Sequence, residues 1–130
     1  MGQKTGNMIQ AQKERIKKLR EWAKINLLGK EVSHPEFSEK IGFTSTGIKE
    51  FLNQPHQDYN AKNELLKEID TIIPKSKIEY EAEDMKGNPN NHYYYLKTKI
   101  GENESFIVIR LTRHNNKYVL YSIVDKLKNR

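Results

Sequence analysis

The chain has 130 residues, no cysteine, 31% charged residues and a formal net charge of +6. That length suits one domain with one modest core, and the absence of cysteine excludes disulfides and thiolate metal sites. No apolar run reaches the length of a membrane span and no secretory leader opens the chain, so the sequence predicts a soluble, cytoplasmic protein with no membrane partner.

The charge is unevenly distributed. Residues 1–30 carry 8 basic and 2 acidic groups, residues 31–91 carry 7 and 12, and residues 92–130 carry 8 and 3. Two basic ends flank an acidic middle. A partner bearing phosphates suits the ends, and so does an ordinary solvated surface.

Residues 1–8 are polar and predict a disordered tail, with a single domain over 9–130. Its helical part covers 9–73 and its sheet 77–130. The first helix is predicted from Ile9 to Leu28, where Ile16, Leu19, Ala23 and Leu27 form a stripe with Trp22 and Ile25 beside it. Lys13, Arg15, Lys17, Lys18 and Arg20 take most of the remaining surface. Such a helix packs one side on a core, and its basic side has the chemistry to dock on nucleic acid or membrane. Gly29 is placed to end it. Residues 30–44 read as a weakly structured connection in which His34 precedes a proline and reads as a surface histidine.

The run GIKEFLNQPHQDYNAKN, residues 47–63, is the densest in chemically capable side chains. Ile48, Phe51 and Leu52 give a short helix one apolar face, and Pro55 stops it. Asp58 is placed to cap a second helix from Tyr59 to about Thr71, with Ala61, Leu65, Leu66, Ile69 and Ile72 on its apolar side. His56 therefore sits in a corner between helices. Asn53, Lys62 and Asn63 lie close by in the chain and are candidates for substrate binding. Residues 37–52 also fit a helix-turn-helix pattern with Gly42 in the turn, which would make the domain a DNA binder.

After Pro74 the hydrophobic period changes from 3.6 to 2. Strands are predicted over 77–84, 92–100, 105–113 and 117–126, joined by short turns into an antiparallel meander. The fold class is α+β, with two or three N-terminal helices packed on one face of a four-stranded antiparallel sheet. A three-residue turn at 114–116 would align Ile107, Ile109 and Leu111 with Val119, Tyr121 and Ile123 on the covered face. It would leave Arg110 and Ser122 on the open face, because burying an unpaired serine hydroxyl costs about 1–3 kcal/mol. Tyr95 and Lys97 then join them.

That open face suits RNA. Tyr95 offers a stacking surface, Lys97 and Arg110 can hold phosphate, and Ser122 can donate to a phosphoryl oxygen. His56 has the side chain of a general acid or base near neutral pH. A sheet with one solvated face holds the same residue types without any function. No glycine-rich phosphate loop and no histidine pair with metal-ligand spacing is present, so neither a cofactor nor a metal is expected. Glu79, Glu81 and Glu83 read as one solvated strand face.

From about Trp22 to Asp125 the chain resembles the barnase–EndoU–colicin–RelE-like nuclease domains of phage and mobile-element polyproteins, as found at the C-terminus of Mu-type phage head-morphogenesis proteins. The segments EWAKINLLGKEV, IGFTSTGIKEFLNQPH, YNAKNELL and KYVLYSIVD carry the resemblance. It implies a metal-independent endoribonuclease that acts as a toxin or on host RNA, delivered with a phage particle into the host cytoplasm. It also implies other phage structural proteins or a cognate inhibitor as partners. By position it points to Lys49, His56, Lys62, Arg110 and Ser122. A non-catalytic structural module of the phage particle is the alternative the same resemblance allows.

Overall fold

A computed structural model describes residues 2–84 and 86–125, with side chains from residue 10 onward. Of the tail expected over residues 1–8, the side chains lie outside the described set, and so does Lys126 at the end of the predicted last strand. Helix α1 spans Gly2–Asn26 and ends where Gly29 takes a positive φ of 84°. Its Leu19, Ala23 and Leu27 are buried, with Ile16 and Trp22 packed against the core. Ile25, expected beside that stripe, is instead 83% exposed, because it lies about half a turn round from the buried face.

The connection after α1 is not structureless. Strands β1 (Glu31–Val32) and β2 (Ile41–Gly42) pair antiparallel. The presence of β2 removes the first helix that a helix-turn-helix over 37–52 requires, so that reading is corrected. His34 is buried rather than exposed: its Nε2 lies 2.7 Å from the Ser76 carbonyl oxygen, and its Nδ1 accepts from the Glu36 N–H at 3.1 Å. The imidazole thereby ties this connection to the end of the helical part.

Helix α2 (Ser45–Asn53) starts at Thr44, whose Oγ1 accepts from the Gly47 N–H at 3.1 Å. Ile48, Phe51 and Leu52 are buried. The second helix is not continuous. It is α3 (Tyr59–Glu64), a 3₁₀ turn Leu65–Glu68, α4 (Ile69–Ile72) and a second 3₁₀ turn Ile73–Lys75. Asp58 occupies the N-cap position of α3, but its side chain caps nothing. Its backbone N–H donates to His56 Nδ1 at 2.8 Å instead.

Strands β3 (Lys77–Glu83), β4 (Asn91–Ile100), β5 (Asn103–Thr112) and β6 (Lys117–Val124) form the predicted meander. The sheet has six strands, not four, in the order β1-β2-β6-β5-β4-β3. β2 runs parallel to β6, and every other neighbouring pair is antiparallel. The helices cover one face, where Leu96, Ile107, Ile109, Leu120 and Ile123 meet the helical side chains.

The last hairpin corrects the predicted register. Thr112 pairs with Lys117, so the turn has four residues, 113–116, closed by Asn116 at φ 54°. Asparagine tolerates that left-handed conformation. Tyr118 and Leu120, not Val119 and Tyr121, are buried in the core beside Leu111 and Ile109. The Tyr118 ring packs 4.9 Å from Phe37 and 6.1 Å from Tyr94, contacts that hold it inward. The register then shifts between Val108 and Ile109, leaving Tyr121 as the extra residue. This bulge returns Ile123 to the core and Ser122 to the open face.

Two clefts on either side of helix α2

On the open face a cleft of about 990 Å³ is lined by Tyr80, Tyr93, Tyr95, Arg110, Tyr121 and Ser122 from the sheet, by Glu50 from α2 and by Gln54, which caps its C-terminal end. Two strand irregularities build it, one between Ile78 and Tyr80 and the other at Tyr121. The Tyr93 and Tyr121 rings lie 5.2 Å apart, and Tyr80 and Tyr95 lie 5.6 Å apart. The Arg110 guanidinium sits 5.2 Å from the Tyr121 ring centroid. Its Nε is buried without a hydrogen-bond acceptor, and among the described residues no carboxylate lies within 4 Å of it. Ser122 Oγ donates to Gln54 Oε1 at 3.3 Å.

Acidic residues in and just after β3 border this cleft, but of these Asp84 shares the face of Tyr93, whereas Glu81 and Glu83 stand opposite Tyr94 and His92 and direct their side chains to the other face. Glu83 is engaged by both terminal nitrogens of Arg113 at 3.0 Å and by His92 Nδ1 at 2.6 Å. Arg113, and then His92, hold its carboxyl down to about 2, although burial pulls the other way. Asp84 accepts from Asn91 and Tyr93, and these bonds with the Lys86 N–H keep its pKa below the usual value. Burial first, then Tyr121 and Asp84, raise the Tyr93 phenol to about 12. Burial also raises Tyr95. Glu81 bonds to His92 Nε2 at 2.9 Å. Among the described residues no group of acidic and histidine side chains is placed to hold a metal ion, and no helix is long and apolar enough to cross a membrane.

The predicted site residues divide among five places. Arg110, Ser122 and Tyr95 share the open cleft. Lys97 stands further along the same face of β4, paired with Glu104 at 3.0 Å, and that hydrogen bond raises its pKa. Lys49 lines a different cleft, between α1 and the start of α2. Asn53 is exposed at the end of α2.

His56, Lys62 and Asn63 belong to the helical side. The Asp58 N–H occupies His56 Nδ1, so Nε2 carries the proton and donates to the buried Ser105 hydroxyl at 2.7 Å. Ser105 and Arg110 are five residues apart on β5, roughly 17 Å along the strand, and an odd separation puts them on opposite faces. His56 therefore does not share a site with Arg110. Lys62 is fully buried. Its Nζ donates to the Phe51 and Leu52 carbonyls at 2.6 and 3.1 Å and lies 4.4 Å from the Tyr59 ring centroid. It closes the C-terminal end of α2, where carbonyls lack helical partners. Burial draws its pKa down to about 7. Asn63 is fully buried, and neither side-chain atom has a hydrogen-bond partner.

Glu50, Gln54, Tyr80, Tyr93 and Tyr121 are the cleft residues that the sequence reading missed. Two of the tyrosines reach the open face through strand irregularities, which alternation does not reveal. Tyr93 carried a readable signal, since it alternates with Tyr94 and shares a face with Tyr95.

The sequence pattern of the family described as large polyvalent protein-associated domain 3 matches residues 10–121. The chain belongs to that family. The match runs from within α1 to within β6, so the elements between them belong to a polyvalent-protein-associated domain. It supports the association with phage or mobile-element polyproteins and shows no nuclease family. No curated protein and no solved structure matches this domain.

Proposed function

We propose that this polyvalent-protein domain is a metal-independent endoribonuclease module whose reacting phosphate sits at Arg110 on the open sheet face. The observation that carries the reading is Arg110 itself. Its guanidinium is held on the Tyr121 ring without a carboxylate partner, inside a tyrosine-lined cleft. A phosphate is the ligand such an arginine accepts, through paired N–H donors. Tyr93 and Tyr95 then supply stacking faces for bases.

In this reading Glu50, over the cleft from α2, takes the place expected of His56. The 2′-oxygen attacks the adjacent phosphorus and its proton passes to the Glu50 carboxylate. The 5′-oxygen leaves with a proton from water, and a 2′,3′-cyclic phosphate remains. Arg110 stabilises the charge that builds on the phosphoryl oxygens. Ser122 orients Gln54 beside it. RNA is the partner, and no cofactor takes part.

A second reading rests on the acidic side chains that face the cleft. Glu50 and Asp84 disfavour a polyanion and favour a basic segment of another phage structural protein, which would make the cleft a docking site. Incubation with total RNA in excess EDTA separates the two. Cleavage to cyclic phosphate ends that is lost in Arg110→Ala and Glu50→Gln but kept in His56→Gln supports the ribonuclease reading. RNA left intact by the wild-type chain overturns it in favour of docking, and RNA cut equally by Arg110→Ala overturns the placing of the reacting phosphate at Arg110.

A further inference from the structure

A second cleft, of about 280 Å³, lies between α1 and the start of α2. Arg20 and Lys24 line it from α1, with Ser45, Thr46 and Lys49 from α2. No acidic side chain lines it. Among the described residues none of the three cations has a carboxylate within 4 Å. The Arg20 Nε is buried with no acceptor. The first turn of α2 opens into the same cleft and adds its positive end.

The cleft is one end of a longer feature. Lys13, Lys17, Arg20 and Lys24 are separated by four, three and four residues, the spacing of one helical face. They form a ridge roughly 16 Å long at 1.5 Å per residue. Lys13, Lys17 and Lys24 are exposed and Arg20 is half-buried. Glu14 stands three residues before Lys17, and Glu21 four after Lys17 and three before Lys24, but among the described residues neither makes an ion pair with the ridge.

We propose that this ridge and its terminal cleft bind the sugar–phosphate backbone of a nucleic acid without reading sequence. Successive cations rise roughly 4.5–6 Å along the helix, against about 3.4 Å of axial rise per nucleotide in one strand of a duplex, so neighbouring cations meet phosphates one or two nucleotides apart. No aromatic side chain is exposed on the ridge to stack bases. A bilayer surface is a poorer match, because the cleft is concave and Leu28 is its one exposed apolar neighbour. This site is independent of Arg110 and does not rest on the ribonuclease reading.

The test is binding of a labelled, cleavage-resistant 2′-O-methyl oligoribonucleotide to the whole chain, followed by fluorescence anisotropy across a salt series. Five contacts on a single strand give a log–log salt slope of about −3.5. The combined variant Lys13→Gln, Lys17→Gln, Lys24→Gln changes three side chains on the protein surface, and circular dichroism confirms that it folds. It should bind at least tenfold more weakly at low salt, with a slope reduced to about −1.4, while Lys40→Gln, which removes an exposed cation that lines neither cleft, binds as wild type. Wild-type binding by the triple variant overturns the proposal. So does retention on phosphatidylserine vesicles with no binding to the oligonucleotide.

Discussion

Replacing Gly47 with alanine tests how α2 is held. Gly47 is buried in α2 against β6, and a Cβ there would overlap the Leu120 carbonyl oxygen and stand 3.1 Å from its carbon. It would also come within 3.3 Å of Thr44 Oγ1, the atom that caps the helix. The clash is with strand backbone, so α2 must move away as a unit. Overpacking of this kind costs about 1–3 kcal/mol. Unfolding entropy of roughly 2.1 cal/mol/K per residue gives about 0.27 kcal/mol/K for 130 residues, so the melting temperature should fall by about 4–11 °C. Thermal melts by circular dichroism read this directly. Gly42→Ala is the control, because a Cβ there meets nothing closer than 3.9 Å. A Gly47→Ala melt within a degree of wild type, or an equal loss in Gly42→Ala, would refute the close approach.

Two further predictions concern buried polar groups. Lys62 has an ordinary pKa of 10.5 when unfolded and about 7 when folded, so between those values the unfolded chain binds more protons and stability rises with pH by up to about 1.4 kcal/mol per unit. Urea titrations across that range should show the rise in wild type and lose this part of it in Lys62→Met; an unchanged slope refutes the assignment. Asn63→Leu removes an unpaired buried amide at similar volume and should stabilise the domain by about 1–2 kcal/mol, and a lower urea midpoint would show that the amide is satisfied in solution.

Much of this domain is legible in its sequence, and the remainder fails for identifiable reasons. The 25-residue α1 gives its apolar stripe several repeats, so Leu19, Ala23 and Leu27 are found correctly. β1 and β2 have two residues each and contain no period to detect. Arg110 and Ser122 do share a face, but by a different route from the one expected. A longer turn reverses the first half of β6, and the bulge at Tyr121 reverses it back. Both clefts contain residues that the sequence marks out, yet their assignment fails where tertiary contacts decide. Lys62 reads as a substrate-binding cation and is instead enclosed, because α2 ends in carbonyls that need donors from elsewhere in the chain. His56 is rightly placed between helices, but its direction is set by the Asp58 N–H and by Ser105, far along the chain.

Helix α2 presents Ser45, Thr46 and Lys49 to one cleft and Glu50, with its C-cap Gln54, to the other. Nine residues make little more than two turns, too short to flex between those faces. A tilt that brings Lys49 toward a ligand carries Glu50 and Gln54 with it and resets the hydrogen bond to Ser122. The two recesses thus share one short element, packed against β6 at Gly47. Any such tilt obeys thermodynamic reciprocity: whatever factor occupancy of the first cleft imposes on affinity at the second is returned unchanged.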